Sequence, residues 1–174
     1  MNSIDLLREQ LMSAHDTQEA TMADVEEELV HSKAVDKELT VAQAYAHSVI
    51  AEDIVLSTML LEKTPLSAET AIEEMGVSGV MPSSDDWSEH SAWIQKVKID
   101  LPKLKEFAKK VYGESDGYLA SLKKEDLDRE IERLVIGKQN LAFFINNFLI
   151  LHIANLTGEI SAAKGIQGFK GYPF

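Results

Sequence analysis

The chain contains no cysteine. That excludes disulfides, thiolate metal sites and a cysteine nucleophile. It is also short of positive charge: 17 basic residues stand against 29 acidic ones, for a net charge of -12. Such a field repels phosphate backbones and anionic lipid, so neither a nucleic acid nor a membrane is expected as partner. Aromatic residues make up 7% of the chain and prolines number four. No stretch alternates apolar and polar residues with β-branched enrichment, so a sheet protein is not expected. The opening MNSIDLLREQ lacks a basic region followed by an apolar core, which a signal peptide needs. The expected location is cytoplasmic.

What remains is a soluble composition, 45% hydrophobic and 26% charged over 174 residues, sized for a single domain, 1–174. The most apolar stretch is GKQNLAFFINNFLILHIANLTGEISAAK, Gly137 to Lys164. It reads as a long helix with no wide polar face, which other helices must surround. Asn146, Asn147 and His152 interrupt it, making it too polar for a membrane span. At about 3.6 residues per turn, Leu141, Ile145, Phe148, His152, Leu156 and Glu159 share one stripe.

Three further helices are predicted. Ile4, Leu7, Leu11 and Ala14 mark one over residues 3 to 23, with Ser3 as a candidate cap. A short turn follows Asp24, and residues 30 to 39 read as a loop. Thr40 and Gln43 have capping-box spacing and open a largely apolar helix to about Leu61, ended by Thr64-Pro65. Residues 66 to 75 suggest a short surface helix stopped at Gly76. A third capping box, Asp86 to Glu89, opens a long helix that Pro102 either kinks or restarts from Asp100. Residues 123 to 137 read as irregular. Residues 165–174, GIQGFKGYPF, form a glycine and aromatic tail with no preceding strand to make it a dinucleotide fingerprint. Phe169, Tyr172 and Phe174 suit a tail tucked against the bundle, over a site or against a partner subunit. The architecture expected is all-α, a bundle of four long helices with short extra helices.

Bundles build ligand and metal sites from inward side chains of facing helices. The candidates are His47, Glu52 and Asp53 on the second helix and His152, Asn155 and Glu159 on the last. Ligands on one helix sit three or four residues apart. Position 156, four after His152, is leucine, and Glu159 lies roughly 10.5 Å along the axis. The spacing therefore offers His47 and His152 as a possible metal pair plus one carboxylate, with Asp53, Asn155 and Glu159 as pocket or outer-shell candidates. The plain alternative is that each histidine is a hydrogen-bonded core residue. His15, His31 and His90 read as solvated, and Trp87 and Trp93 as packing residues.

Two segments, MADVEEELVHSKAVDKELTVAQAYAHSVIAEDIVLSTML (22 to 60) and LILHIANLTGEISAAKGIQGFKGYPF (149 to 174), resemble DinB-like (YfiT-like) proteins, and the intervening sequence is compatible with them. The resemblance implies a four-helix bundle, often a homodimer, and a divalent metal such as zinc, nickel or manganese held by three histidines. His47 and His152 match two of those positions, and Leu156 stands at the third. Active members of the family are metal-dependent hydrolases or transferases and isomerases that use low-molecular-weight thiols. With the third ligand missing, the expected function is a metal-free or weakly metal-binding protein that binds a small molecule or a partner. The alternative is a metal-dependent hydrolase or thiol transferase using His47, His152 and a carboxylate.

Overall fold

The computed structural model describes residues 2–33, 39–82, 87–133 and 136–174. Helix α1 spans Ser3–Thr21. Its cap is Asn2 rather than Ser3: Asn2 Oδ1 accepts from Asp5 N at 2.9 Å, and Asp5 Oδ2 accepts from Asn2 N at 3.3 Å. After a single turn α2 (Glu27–Val30), α3 runs over Val41–Ile54 from the expected Thr40–Gln43 capping box. Gln43 N reaches Thr40 Oγ1 at 3.1 Å and Thr40 N reaches Gln43 Oε1 at 2.9 Å. The helix continues into a π-helical stretch, Val55–Leu60, and stops before Thr64-Pro65.

The predicted helix at residues 66 to 75 is two single turns, α4 (Leu66–Glu69) and α5 (Ile72–Met75). Gly76 ends the second in the left-handed region, φ 72°. The single long helix expected after residue 86 is two: α6 (Trp87–Ile94) and α7 (Leu101–Ser121). Between them, a bridge pairs Val77 with Ile99, and Asp100 caps α7 with Pro102 in its first turn. Proline is tolerated there because the first N–H groups have no helical acceptor. The expected cap Asp86 lies outside the described residues, as does part of the loop read at 30 to 39.

The segment read as irregular holds a 3₁₀ turn and a small antiparallel hairpin, β1 (Glu130–Arg133) and β2 (Gly137–Asn140). Its strands are four residues long, and Ile131 is their one buried position, so no alternation was visible. The last helix, 26 residues from Leu141 to Ile166, starts after the hairpin and is capped by Asn140. It comprises α8 (Leu141–Phe144), a π-helical stretch (Ile145–Ile150) and α9 (Leu151–Ile166). By length and composition alone it passes for a membrane span despite Asn146, Asn147 and His152, contrary to the expectation that these make it too polar. A core helix of such composition passes as well. The π stretch advances the helix phase, which breaks the predicted stripe. Leu141, Ile145 and Leu156 are buried, Phe148 and His152 are half-buried, and Glu159 is exposed.

The structure is predominantly helical. α1 packs on α7 and α9, and α3 packs on the same two helices. Apolar side chains gather into two clusters. One holds Val41 to Ile54, Leu104, Phe107, Val111 and Ile160; the other holds Leu11, Leu56, Leu119, Phe144, Leu149 and Ile153. Between the two, each of these helices contributes polar groups: His15 and Gln18, Ser48 and Glu52, Tyr112 and Ser115, and Thr157.

Gly76 fixes the corner that sets α7 against α5. A Cβ there would lie 2.7 Å from Asp100 O and 2.7 Å from Lys103 Cβ, at a φ that strains any L side chain. Gly113, inside α7, meets nothing within 4 Å. Gly76→Ala is expected to lower stability by about 1–3 kcal/mol, while Gly113→Ala raises it by roughly 0.5–1 kcal/mol. Urea denaturation of both variants checks the contrast; equal effects would contradict the assigned backbone roles.

Candidate functional site

The polar layer is built from helix periodicity. His15 and Gln18 fall on the α1 face that also carries Ile4, Leu11 and Met22, so both are driven inward. Tyr112 and Ser115 continue the α7 face of Leu104, Phe107 and Val111. A carboxylate among such groups needs partners, and Glu52, 1% exposed, has them from two other helices. His15 Nε2 donates to both its oxygens at 3.0 Å, and Ser115 Oγ donates to Oε1 at 2.6 Å. The His15 ring stacks on Tyr112, centroids 3.8 Å apart. Tyr112 and Tyr45 both donate to Glu19 Oε1, at 2.8 and 2.7 Å. Burial, with the negative charges nearby, raises both phenol pKa values. Gln18 Nε2 completes the layer by donating to Ser48 Oγ at 2.8 Å.

His47 and His152 do meet. Their rings stand edge to face, centroids 4.9 Å apart, joining α3 to α9. Nδ1 of His47 is buried with no hydrogen-bond partner among the described residues, in contrast to the satisfied groups around Glu52. Burial foremost, then the neighbouring His152 and His90, lowers the His47 pKa to about 4. Burial also lowers that of His152, against the opposing pull of the Glu52 charge. The pair is therefore two neutral imidazoles, and a neutral imidazole offers a lone pair or an N–H to a bound group.

The other candidates stand apart from the pair. Asp53 is buried and committed: its carboxylate accepts from Leu66 N at 3.0 Å and Ser67 N at 2.8 Å, pinning the start of α4. Asn155 and Glu159 lie on the outward face of α9. Partial desolvation there raises the Glu159 pKa. The reading of His15 as solvated is corrected: it is 7% exposed and paired with Glu52. His31 and His90 are half-buried, and His31 Nε2 donates to Ile99 O at 3.1 Å. Trp93 packs against the core as expected, donating to Gly79 O. The missed residues were His15, Gln18, Tyr112 and Ser115. Their signal was spacing, polar residues three apart on otherwise apolar stripes.

A three-histidine metal site does not fit these residues. Leu156, 4% exposed, fills the position one turn beyond His152. Among the described residues, no three of His, Asp or Glu come together closely enough to hold an ion. The Glu52 charge acts on His152, but both Glu52 oxygens already accept from His15, and Oε1 from Ser115 as well. A catalytic zinc ordinarily takes three protein donors. A groove of about 580 Å³ lies elsewhere, between α1 and α9, lined by Leu6, Ala14, Ile150, Leu151, Tyr172 and Phe174 among others and by neither histidine.

No family model and no curated protein matches the chain. A conserved protein from Enterococcus faecalis, known from its crystal structure, is similar in fold. Its TM-score is 0.73 at 18% sequence identity, covering 95% of this chain and 99% of that one.

The depressed His47 pKa has a stability consequence. The unfolded ring titrates near 6.5 and the folded ring near 4, so the unfolded state binds the extra proton between them. His47 stabilisation is complete above pH 6.5 and is lost as pH falls through about 4, by roughly 3 kcal/mol in all. His152 contributes with the same sign. His47→Gln should flatten the stability–pH profile measured by urea denaturation. An unchanged slope in the variant would contradict the buried, neutral ring.

Proposed function

We propose that the chain is a DinB-like four-helix-bundle protein, cytoplasmic and homodimeric. Its histidine pair is the remnant of a metal site and acts as a metal-free or weakly metal-binding contact for a small molecule or partner. The observation that carries this reading is the pair itself: two facing imidazoles, one with an unpartnered buried nitrogen, and leucine where a third donor belongs. The pairwise packing of α1, α3, α7 and α9 and the overall likeness to the Enterococcus protein are consistent with such a bundle.

Chemically, two neutral rings can accept a hydrogen bond from a ligand hydroxyl or amide, or donate one to an anionic oxygen. Among the described residues neither ring is hydrogen-bonded to a carboxylate, so within them the pair lacks the arrangement that makes a histidine a strong general base. Binding is thus a better match to the geometry than hydrolysis or thiol transfer.

Leu156 gives the direct test. Protein purified without a histidine tag should carry no stoichiometric zinc, nickel or manganese. Leu156→His, which adds a donor one turn from His152, should raise zinc affinity by about a hundredfold or more in a competitive chelator titration. A wild-type chain that keeps one metal ion through dialysis would overturn the metal-free reading. A Leu156→His variant with unchanged affinity would show that the two rings do not converge on one ligand position.

A further inference from the structure

The last helix is apolar around most of its circumference, yet only 44% of its most apolar stretch is buried. The inner side accounts for Leu141, Phe144, Ile145, Leu149, Ile153 and Ile160, all essentially inaccessible. The outer side carries Leu151, 44% exposed, beside the small residues Ala154 and Gly158. Alongside it, α1 presents Leu6 and Met12, 43% and 58% exposed. The tail extends the same surface. Gly171 lies against α9 so closely that a Cβ would sit 2.5 Å from Ser161 Oγ. That approach sets Tyr172 over Gly158 and stacks its ring on Phe174, centroids 5.5 Å apart and 5° from parallel. Leu6, Leu151, Tyr172 and Phe174 share the 580 Å³ groove, and Met12 and Phe174 share the adjoining one.

We infer that this α1–α9 face, completed by the Tyr172–Phe174 tail, is the surface on which a second copy of the chain docks. The inference rests on the homodimer proposed above and adds its location. Area decides the matter. Allowing roughly 150–200 Å² for each large side chain, the exposed fractions of Leu6, Met12, Leu151, Tyr172 and Phe174 leave on the order of 500 Å² of apolar surface. A standard interface hides about 800 Å² per partner, of which roughly 57% is apolar, or on the order of 450 Å². The face therefore holds the apolar content of one side of a stable interface. A two-fold axis lets one such patch cover its own copy.

Other occupants suit it less well. A net charge of -12, with Glu9 and Asp16 lining the grooves, disfavours an anionic lipid surface. A small molecule in the groove would leave Phe174, 88% exposed, mostly in water. In a dimer the Glu9 and Asp16 carboxylates lining the grooves of the two copies would repel one another, a repulsion that salt screens over about 8 Å at physiological strength. Self-association should accordingly strengthen as salt is raised.

Sedimentation velocity on the full chain tests the assignment. The wild type should dimerise with Kd below about 10 μM, more tightly at high than at low salt. Leu151→Glu should weaken dimerisation at least a hundredfold with its melting curve retained. Val80→Glu, on another exposed apolar residue, should leave it unchanged. Phe174→Ser serves as a second variant should Leu151→Glu fold poorly. A wild type that stays monomeric at about 100 μM would overturn the homodimer and the face together. A dimer indifferent to both Leu151→Glu and Phe174→Ser would overturn the face alone. Binding of a monomeric chain to phosphatidylcholine vesicles would also overturn it, by naming a lipid surface as the occupant.

Discussion

Glu52 is the interaction on which the middle of this protein depends. A carboxylate cannot be left bare in a core, and here donors from α1 and α7 close on it while α3 supplies it. That requirement fixes the rotation of three helices about their axes, because slipping any one would strip the carboxylate of a donor. Removing one partner of such a buried group costs about 3–5 kcal/mol, far more than a surface pair contributes. The exposed Arg8–Asp116 pair between α1 and α7 contributes little by comparison, because solvent and salt screen it. The polar layer, more than the apolar clusters on either side, specifies which residues face one another.

Against that satisfied layer, the histidine pair stands out. Gln18, Ser48, Tyr45, Tyr112 and Ser115 each have a partner, whereas the buried Nδ1 of His47 has none among the described residues. Buried polar atoms without partners are uncommon in native cores and call for an explanation. A bound ligand supplies one. On the proposed reading the two features divide the tasks of the molecule: His47 on α3, facing His152 of the last helix, is the imidazole open to a ligand, and the outer side of the last helix carries the apolar surface proposed to meet a second chain.

Much of the fold was legible from the chain. The Thr40–Gln43 box, Thr64-Pro65, Gly76 and the Asp100–Pro102 restart are local devices whose chemistry does not wait on tertiary context. Other features depended on contacts far along the chain. The paired strands Glu130–Arg133 and Gly137–Asn140 hold a single apolar residue, Ile131, too little to announce a hairpin, and the π stretches leave no periodicity of their own. At the site, the approach of His47 to His152 followed from two apolar helices having to pack. The burial of His15 did not follow so directly, because a lone histidine on a helix is inward or outward according to its partner. Glu52, 37 residues away in the chain, is that partner. Asp53 was misplaced for the converse reason: adjacent to Glu52, it points toward α4 and serves backbone amides.

The central claim is that His47 is a neutral, internally unpartnered imidazole facing His152. Long-range proton–nitrogen correlation spectra of the five histidines across pH read it directly. The account predicts that the His47 ring nitrogens stay those of a neutral tautomer down to about pH 4, shifting together with the His152 resonances when a ligand binds. A His47 ring that protonates near its ordinary value of about 6.5, independently of His152, would contradict the account.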